Sequence, residues 1–250
     1  MTAIFSYHLS LENWLLIGLV ALLTGMSKTG VHGAGMLSAP LLALVFGGHS
    51  SSGIILPMLI IADVFGVWYY HRHASWHHLK LLFPWAGLGI VAGTFAGAYI
   101  DDKTFKLIMA ITIFISIPLM IWLKGHKKEE IPKTGWFSVS TGIAGGFTSM
   151  VGNLAGSVMA VYLLAARLPK NVYIGTTAWF FLVINWAKVP FHVFSWHTIT
   201  LKTALLSLVV SPLILLGAAV GIFIVKRIPE KHYRWFIIVM TIAAAVFMLL

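Results

Sequence analysis

The chain has 250 residues, 59% of them apolar and 10% charged, and its 17 Lys and Arg against 7 Asp and Glu give a net charge of +10. That much apolar surface exceeds what one soluble core can bury, which excludes an ordinary soluble domain and makes the bilayer the solvent. The positive balance then points to cytoplasmic loops rather than nucleic acid, and the absence of cysteine excludes disulfides, thiolate metal sites and cysteine nucleophiles.

In chain order, the opening MTAIFSYHLSLENWLL lacks the basic region and small-residue cleavage site of a signal peptide, so it is expected to be retained. Hydrophobic segments follow at 11–25, 34–47, 53–71, 79–100 and 104–124. A second set lies at 134–147, 155–167, 172–194, 201–225 and 232–250. The last three of each set suit membrane-spanning helices of about 20 residues, and the first two are short. Between the sets, KGHKKEEIPK at 124–133 reads as a solvated cytoplasmic connection. The expectation is an all-α polytopic membrane protein with repeats at 1–125 and 134–250 and a linker at 126–133.

The two halves match in four places. The pattern from Gly25 to Gly35 recurs from Gly146 to Gly156, and GIILPMLIIAD ending at Asp63 recurs as GTTAWFFLVIN ending at Asn185. SWHHL at Ser75 returns as SWHTI at Ser195, and GTFAGAYI at Gly93 returns as GAAVGIFI at Gly217. Conserved order and spacing imply a duplicated unit. Setting aside Lys28 and Lys188, an inverted arrangement puts Arg72, Lys80, Lys124, Lys127, Lys128, Lys133, Arg167, Lys170, Lys226, Arg227, Lys231 and Arg234 on one side. The other side receives Lys103, Lys106 and Lys202, a split of 12 to 3, whereas parallel halves give 7 to 8. The positive-inside rule favours inverted-topology repeats in the inner (cell) membrane, with both termini on the non-cytoplasmic side. Ten crossings, or six with two re-entrant hairpins, satisfy this count equally. Glycines at every fourth position (Gly89, Gly93 and Gly97; Gly217 and Gly221) mark close helix packing.

Short, glycine-interrupted segments at matching places of two inverted halves point to a transporter site. Here they are LLTGMSKTGVHGAGML and TGIAGGFTSMVGNLAGSVM. Helices beginning near Gly33 and Asn153 would turn free N–H groups toward an anion, beside Gly35 and Gly156. Ser27, Thr29, Thr148, Ser149 and Asn153 add uncharged donors. Lys28, Asp63 and Lys188 are ionisable groups inside hydrophobic stretches, where each is costly and functional by default. Asp63 and Asn185 fall at similar depth. One reading joins the halves through an Asp63–Lys188 ion pair. The other has Lys188, with Lys28, hold an anion while Asp63 changes protonation as the coupling group.

His73 and His77 stand four residues apart, a spacing that on one helix could bind metal. The remaining His8, His32, His49, His126, His192, His197 and His232 are scattered, and a wet boundary loop accounts for the 71–80 run. No catalytic metal, cofactor or enzymatic triad is expected. Asp101–Asp102 reads as the solvated end of a helix.

Three stretches carry a resemblance: GVHGAGMLSAPLLAL after the first segment, DVFGVWYYHRHASWHHLKLLFP from Asp63, and GTTAWFFLVINWAKVPFHVFSW from Gly175. Over nearly its full length the chain resembles the TauE/SafE, or sulfite exporter, family of membrane proteins. The resemblance implies a carrier of sulfite, organosulfonates or related sulfur-containing and carboxylate anions, with Asp63, Asn185 and Lys188 as the positions carried over. Val31 and His32 stand where the family pattern has further glycines, a departure that bears on substrate rather than class. The expected function is a secondary transporter working by alternating access, with Lys188 and Lys28 neutralising a small anion, Asn185, Asn153 and the hydroxyls orienting it, and a proton or other ion as coupling partner. An anion channel and a histidine-metal membrane enzyme are the rivals.

Overall fold

A computed structural model describes residues 2–4, 7–125 and 135–249. The expected linker at 126–133 lies outside the described residues, as do the side chains of His8, His49, Asp102 and Lys124. Apart from a short hairpin, Thr2–Ile4 paired antiparallel with Tyr7–Leu9, the described chain is helical.

The first half holds α1 (Leu11–Lys28), a 3-10 turn (Ala34–Met36), α2 (Ser38–Phe46), α3 (Gly48–Tyr70), α4 (Trp76–Gly97) and α5 (Asp102–Gly125). The second holds α6 (Gly135–Gly152), α7 (Ala155–Ala165), α8 (Lys170–Pro190), α9 (Leu201–Val209), α10 (Ser211–Arg227) and α11 (Glu230–Leu249). Local chemistry sets the boundaries. The Ser10 side chain accepts from the Asn13 N–H at 3.2 Å to start α1, and Thr200 and Thr203 form a reciprocal capping box on α9. Asp101 Oδ1 accepts from the Thr104 N–H at 2.9 Å at the exposed start of α5. The Thr104 hydroxyl and N–H hold the Asp101 carboxyl below its usual range. This is the solvated helix end expected there.

Three helical stretches, Ser50–His73, Trp76–Gly97 and Lys170–Ser195, are long and apolar enough to cross a bilayer. The segment expected as one span at 201–225 is instead a pair, α9 and α10, bent by 52°. Pro212 explains the bend: it has no N–H to give to the Leu208 carbonyl and its ring crowds that group. The Ser211 hydroxyl donates to the Leu208 carbonyl at 2.8 Å instead. At 1.5 Å per residue, α2 and α7 reach about 14 and 17 Å, roughly half of a hydrocarbon core.

Burial is turned inside out relative to a soluble protein. Leu15, Trp68, Phe95, Trp186 and Phe223 are exposed, while Thr24, Ser38, Asp63, Thr176, Asn185 and Lys188 are buried. Apolar side chains outward and polar ones inward is the arrangement that lipid as solvent demands. The protein is a multi-pass membrane protein.

Contacts between the halves are reciprocal. α4 packs on α6, where a Cβ on Gly89 would strike the Ile143 carbonyl, and α10 packs on α1, where one on Gly217 would strike that of Leu22. Small residues let these backbones touch. Helices α3 and α8 run antiparallel: Gly53 lies against Thr198, Asp63 bonds Asn185, Gly66 faces Ala178, and Gly175 abuts Tyr70.

Candidate functional site

The ends of α1 and α6, the middles of α3 and α8 and the start of α7 converge on one buried polar cluster. Lys28, in the last turn of α1, places its Nζ 2.9 Å from Asp63 Oδ1. Its ammonium also lies 3.9 Å from the centre of the Phe181 ring, a face that attracts cations. Asn185 Nδ2 donates to Asp63 Oδ2 at 2.5 Å, so both carboxylate oxygens are engaged, one from each half of the chain.

Lys188 is fully buried and donates to two neutral oxygens, the Ser149 carbonyl at 3.0 Å and Asn153 Oδ1 at 2.6 Å. Among the described residues no carboxylate forms an ion pair with it. Of the two readings, the one that joined Asp63 to Lys188 is not what forms: the partner of Asp63 is Lys28. Asp63 sits on the α3 face turned to the C-terminus of α1, while Lys188, one turn beyond Asn185 on α8, reaches the C-terminal carbonyls of α6. Carbonyl ends of helices favour cations, and each lysine occupies one.

Beside the cluster is a cavity of about 40 Å³, room for about three waters. Its lining takes in Ser27, Lys28, Gly33 and Gly35 from the first half and Ser149, Asn153, Gly156 and Asn185 from the second. Lys188 stands behind Asn153 and outside the lining. Asn153 holds a left-handed backbone at φ 55°, tolerable for this residue type, and α7 begins just after it with no side-chain cap. The first N–H groups of a helix lack intrahelical partners, so the start of α7, with Gly156 on the cavity wall, offers donors and a positive dipole end. Near Gly33 the expected helix start is a three-residue 3-10 turn, with α2 beginning only at Ser38. That turn is too short to bring a comparable dipole.

Two expected residues lie elsewhere. The Thr29 hydroxyl bonds the Gly25 and Ala218 carbonyls, at 3.1 and 3.0 Å, and so joins α1 to α10. The Thr148 hydroxyl turns back to the Ala144 carbonyl of its own helix at 2.7 Å. Both satisfy backbone rather than face the cavity, a habit of threonines in apolar helices. Conversely, His32, Met36, Leu59 and Phe181 line the cavity and were not among the expected binding residues. His32 had a signal, since it interrupts the glycine pattern; the apolar three had none.

The proposed His73–His77 face does not form. His73 ends a 3-10 turn, His71–His73, and His77 lies in α4 beyond the extended Ala74 and Ser75, so the two are not on one helix. Among the described residues no group of three or more His, Asp or Glu could hold a metal ion.

Two glycines of the cradle respond to a methyl group differently. Gly33 has φ 98°, and a Cβ there would lie 2.6 Å from the Met240 carbonyl. Gly33→Ala is expected to cost about 1–3 kcal/mol, read as a lowered unfolding temperature in detergent. A Cβ on Gly156 would meet nothing nearer than Met36 Cε, at 3.6 Å. Gly156→Ala is expected to keep the unfolding temperature and to weaken anion binding about tenfold, measured by titration of the purified protein. Equal affinity in both proteins would remove the α7 start from the site.

The sulfite exporter TauE/SafE family model matches residues 14–248. No curated protein and no solved structure matches the chain.

Proposed function

Because the chain belongs to the sulfite exporter TauE/SafE family of membrane transport proteins, we propose that it is a secondary carrier of a small sulfur oxyanion, organosulfonate or carboxylate. The observation that carries this reading is the charge of the buried cluster. Two lysines and one aspartate leave a surplus of one positive charge, and that surplus sits on Lys188, whose partners are neutral. A buried ammonium without a counter-charge is costly. An anion in the adjoining cavity, near the Asn153 amide, the Ser27 hydroxyl and the start of α7, supplies the missing charge.

Alternating access between inverted halves is the proposed mechanism. The reciprocal α4–α6 and α1–α10 contacts and the antiparallel α3 and α8 support it, as does the 12 to 3 charge split. The pairs α1–α2 and α6–α7 are read as re-entrant hairpins, because α2 and α7 are too short to cross alone. Helix ends at mid-membrane suit a carrier: the carbonyl end of α6 holds Lys188 and an amide end faces the ligand. Asp63, bonded from both halves, is the proposed coupling group. The basic loops are assigned to the cytoplasm of an inner membrane, with the termini outside.

The test is reconstitution into liposomes with labelled sulfite, methanesulfonate and acetate. Saturable uptake that is accelerated by unlabelled anion inside the vesicle is expected. Flux without such counterflow would indicate a channel, and no flux of any of these anions by folded protein would reject the proposal.

A further inference from the structure

His32 follows the break after α1 and is 5% exposed. Its Nδ1 lies 3.1 Å from the Gly30 carbonyl and 3.2 Å from the Tyr233 hydroxyl, which itself donates to that carbonyl at 2.9 Å. A carbonyl oxygen only accepts, and the one tyrosine proton is already committed to it. All three contacts are satisfied together only if Nδ1 carries the hydrogen and donates. In the neutral ring Nε2 is then a bare acceptor, and it is buried with no hydrogen-bond partner. His32 lines the cavity described above. With Nδ1 held by protein, Nε2 is the polar atom the ring has left to offer there.

The surroundings leave that acceptor unanswered. Tyr173 of α8 packs edge-on against the ring with centroids 4.9 Å apart, and Tyr233 of α11 does so at 6.4 Å. Lys28 of α1 lines the same cavity, with its Nζ committed to Asp63. A fully deprotonated anion has only acceptors and would face the Nε2 lone pair with repulsion. A buried acceptor without a donor is the costly case.

Resting on the carrier reading above, we propose that His32 Nε2 accepts the hydrogen of a substrate O–H, so that the site selects an anion that still carries one proton. The substrate class is a singly protonated oxyanion: its charged oxygens are met by the lysine side of the cradle and its hydroxyl by His32. Organosulfonates, which have no O–H, then become poorer ligands than hydrogen sulfite or a phosphonate monoanion.

Methylphosphonate and methanesulfonate test this at mildly acidic pH, where each is a tetrahedral monoanion of similar shape and only the first has an O–H. Titration of the purified full-length protein is expected to show methylphosphonate binding about tenfold or more tighter. His32→Phe is expected to abolish the difference, mainly by weakening methylphosphonate. His32→Gln, whose amide oxygen also accepts, is expected to retain part of it and serves if the Phe variant does not fold. Equal binding, the reverse order in the wild-type protein, or undiminished discrimination in both variants would overturn the assignment while leaving an anion carrier standing. If neither these ligands nor sulfite binds folded protein, the carrier reading fails and this proposal with it.

Discussion

Lys188→Met is expected to abolish saturable anion flux while leaving the protein folded. The ammonium meets only the Ser149 carbonyl and Asn153 Oδ1, so two opposing effects follow from removing it. Replacing a poorly compensated buried charge by an apolar chain of similar length is neutral or stabilising by about 1–4 kcal/mol. Leaving Asn153 Oδ1 without that donor costs about 1–3 kcal/mol, while the Ser149 carbonyl keeps the Asn153 N–H at 3.1 Å. The sum is close to zero, and the unfolding temperature should change little. Anion binding has no such offset, because the surplus positive charge of the cluster is gone. A loss of about 2 kcal/mol or more, at least about thirtyfold in affinity, is expected. Titration calorimetry together with thermal unfolding reads both effects. A variant that unfolds early but still binds anions normally would make Lys188 a structural residue.

Asp63→Asn is expected to do the reverse and damage stability first. It removes the counter-charge from Lys28, a group 7% exposed that sits 2.9 Å from the carboxylate. Breaking one side of a buried pair costs about 3–5 kcal/mol, because the remaining charge stays buried. The double variant Asp63→Asn with Lys28→Met removes both charges and, set beside each single variant, should recover most of that loss. The comparison is a double-mutant cycle, and the lysine whose removal rescues the aspartate variant is its working partner. Rescue by Lys188→Met instead of Lys28→Met would contradict the pairing described here. Flux through the stabilised double variant then tests coupling: uptake should no longer depend on an imposed pH gradient if Asp63 carries the proton.

The two variants differ because the two lysines hold different companions, and the sequence does not distinguish those companions. Lys28 and Lys188 look alike there, each an isolated charge inside an oily stretch. Asp63 is 35 residues from one and 125 from the other, and distance along the chain says nothing about which Nζ arrives. The choice depends on α1 ending opposite the Asp63 face of α3 while α8 carries Lys188 to the end of α6. The histidine run shows the same dependence. The four-residue spacing of His73 and His77 has meaning only if one helix contains both, and the extended Ala74–Ser75 link separates them.

What the residues determined by themselves is the class and the layout. Apolar content decides the solvent, because no fold of 250 residues hides such a surface from water. The recurrence of Gly25–Gly35 as Gly146–Gly156 locates both breaks, because glycines and small polar residues inside hydrophobic runs have few other uses. Seven of the binding residues expected in those two stretches line one cavity. Tertiary structure alone decided the rest: that Thr29 and Thr148 spend their hydroxyls on backbone, that a proline bends the ninth segment, and that His32 lies on the cavity wall with its Nε2 buried and unpartnered. Side-chain direction and partner choice follow from how helices pack, and packing joins residues whose separation in the chain carries no information about it.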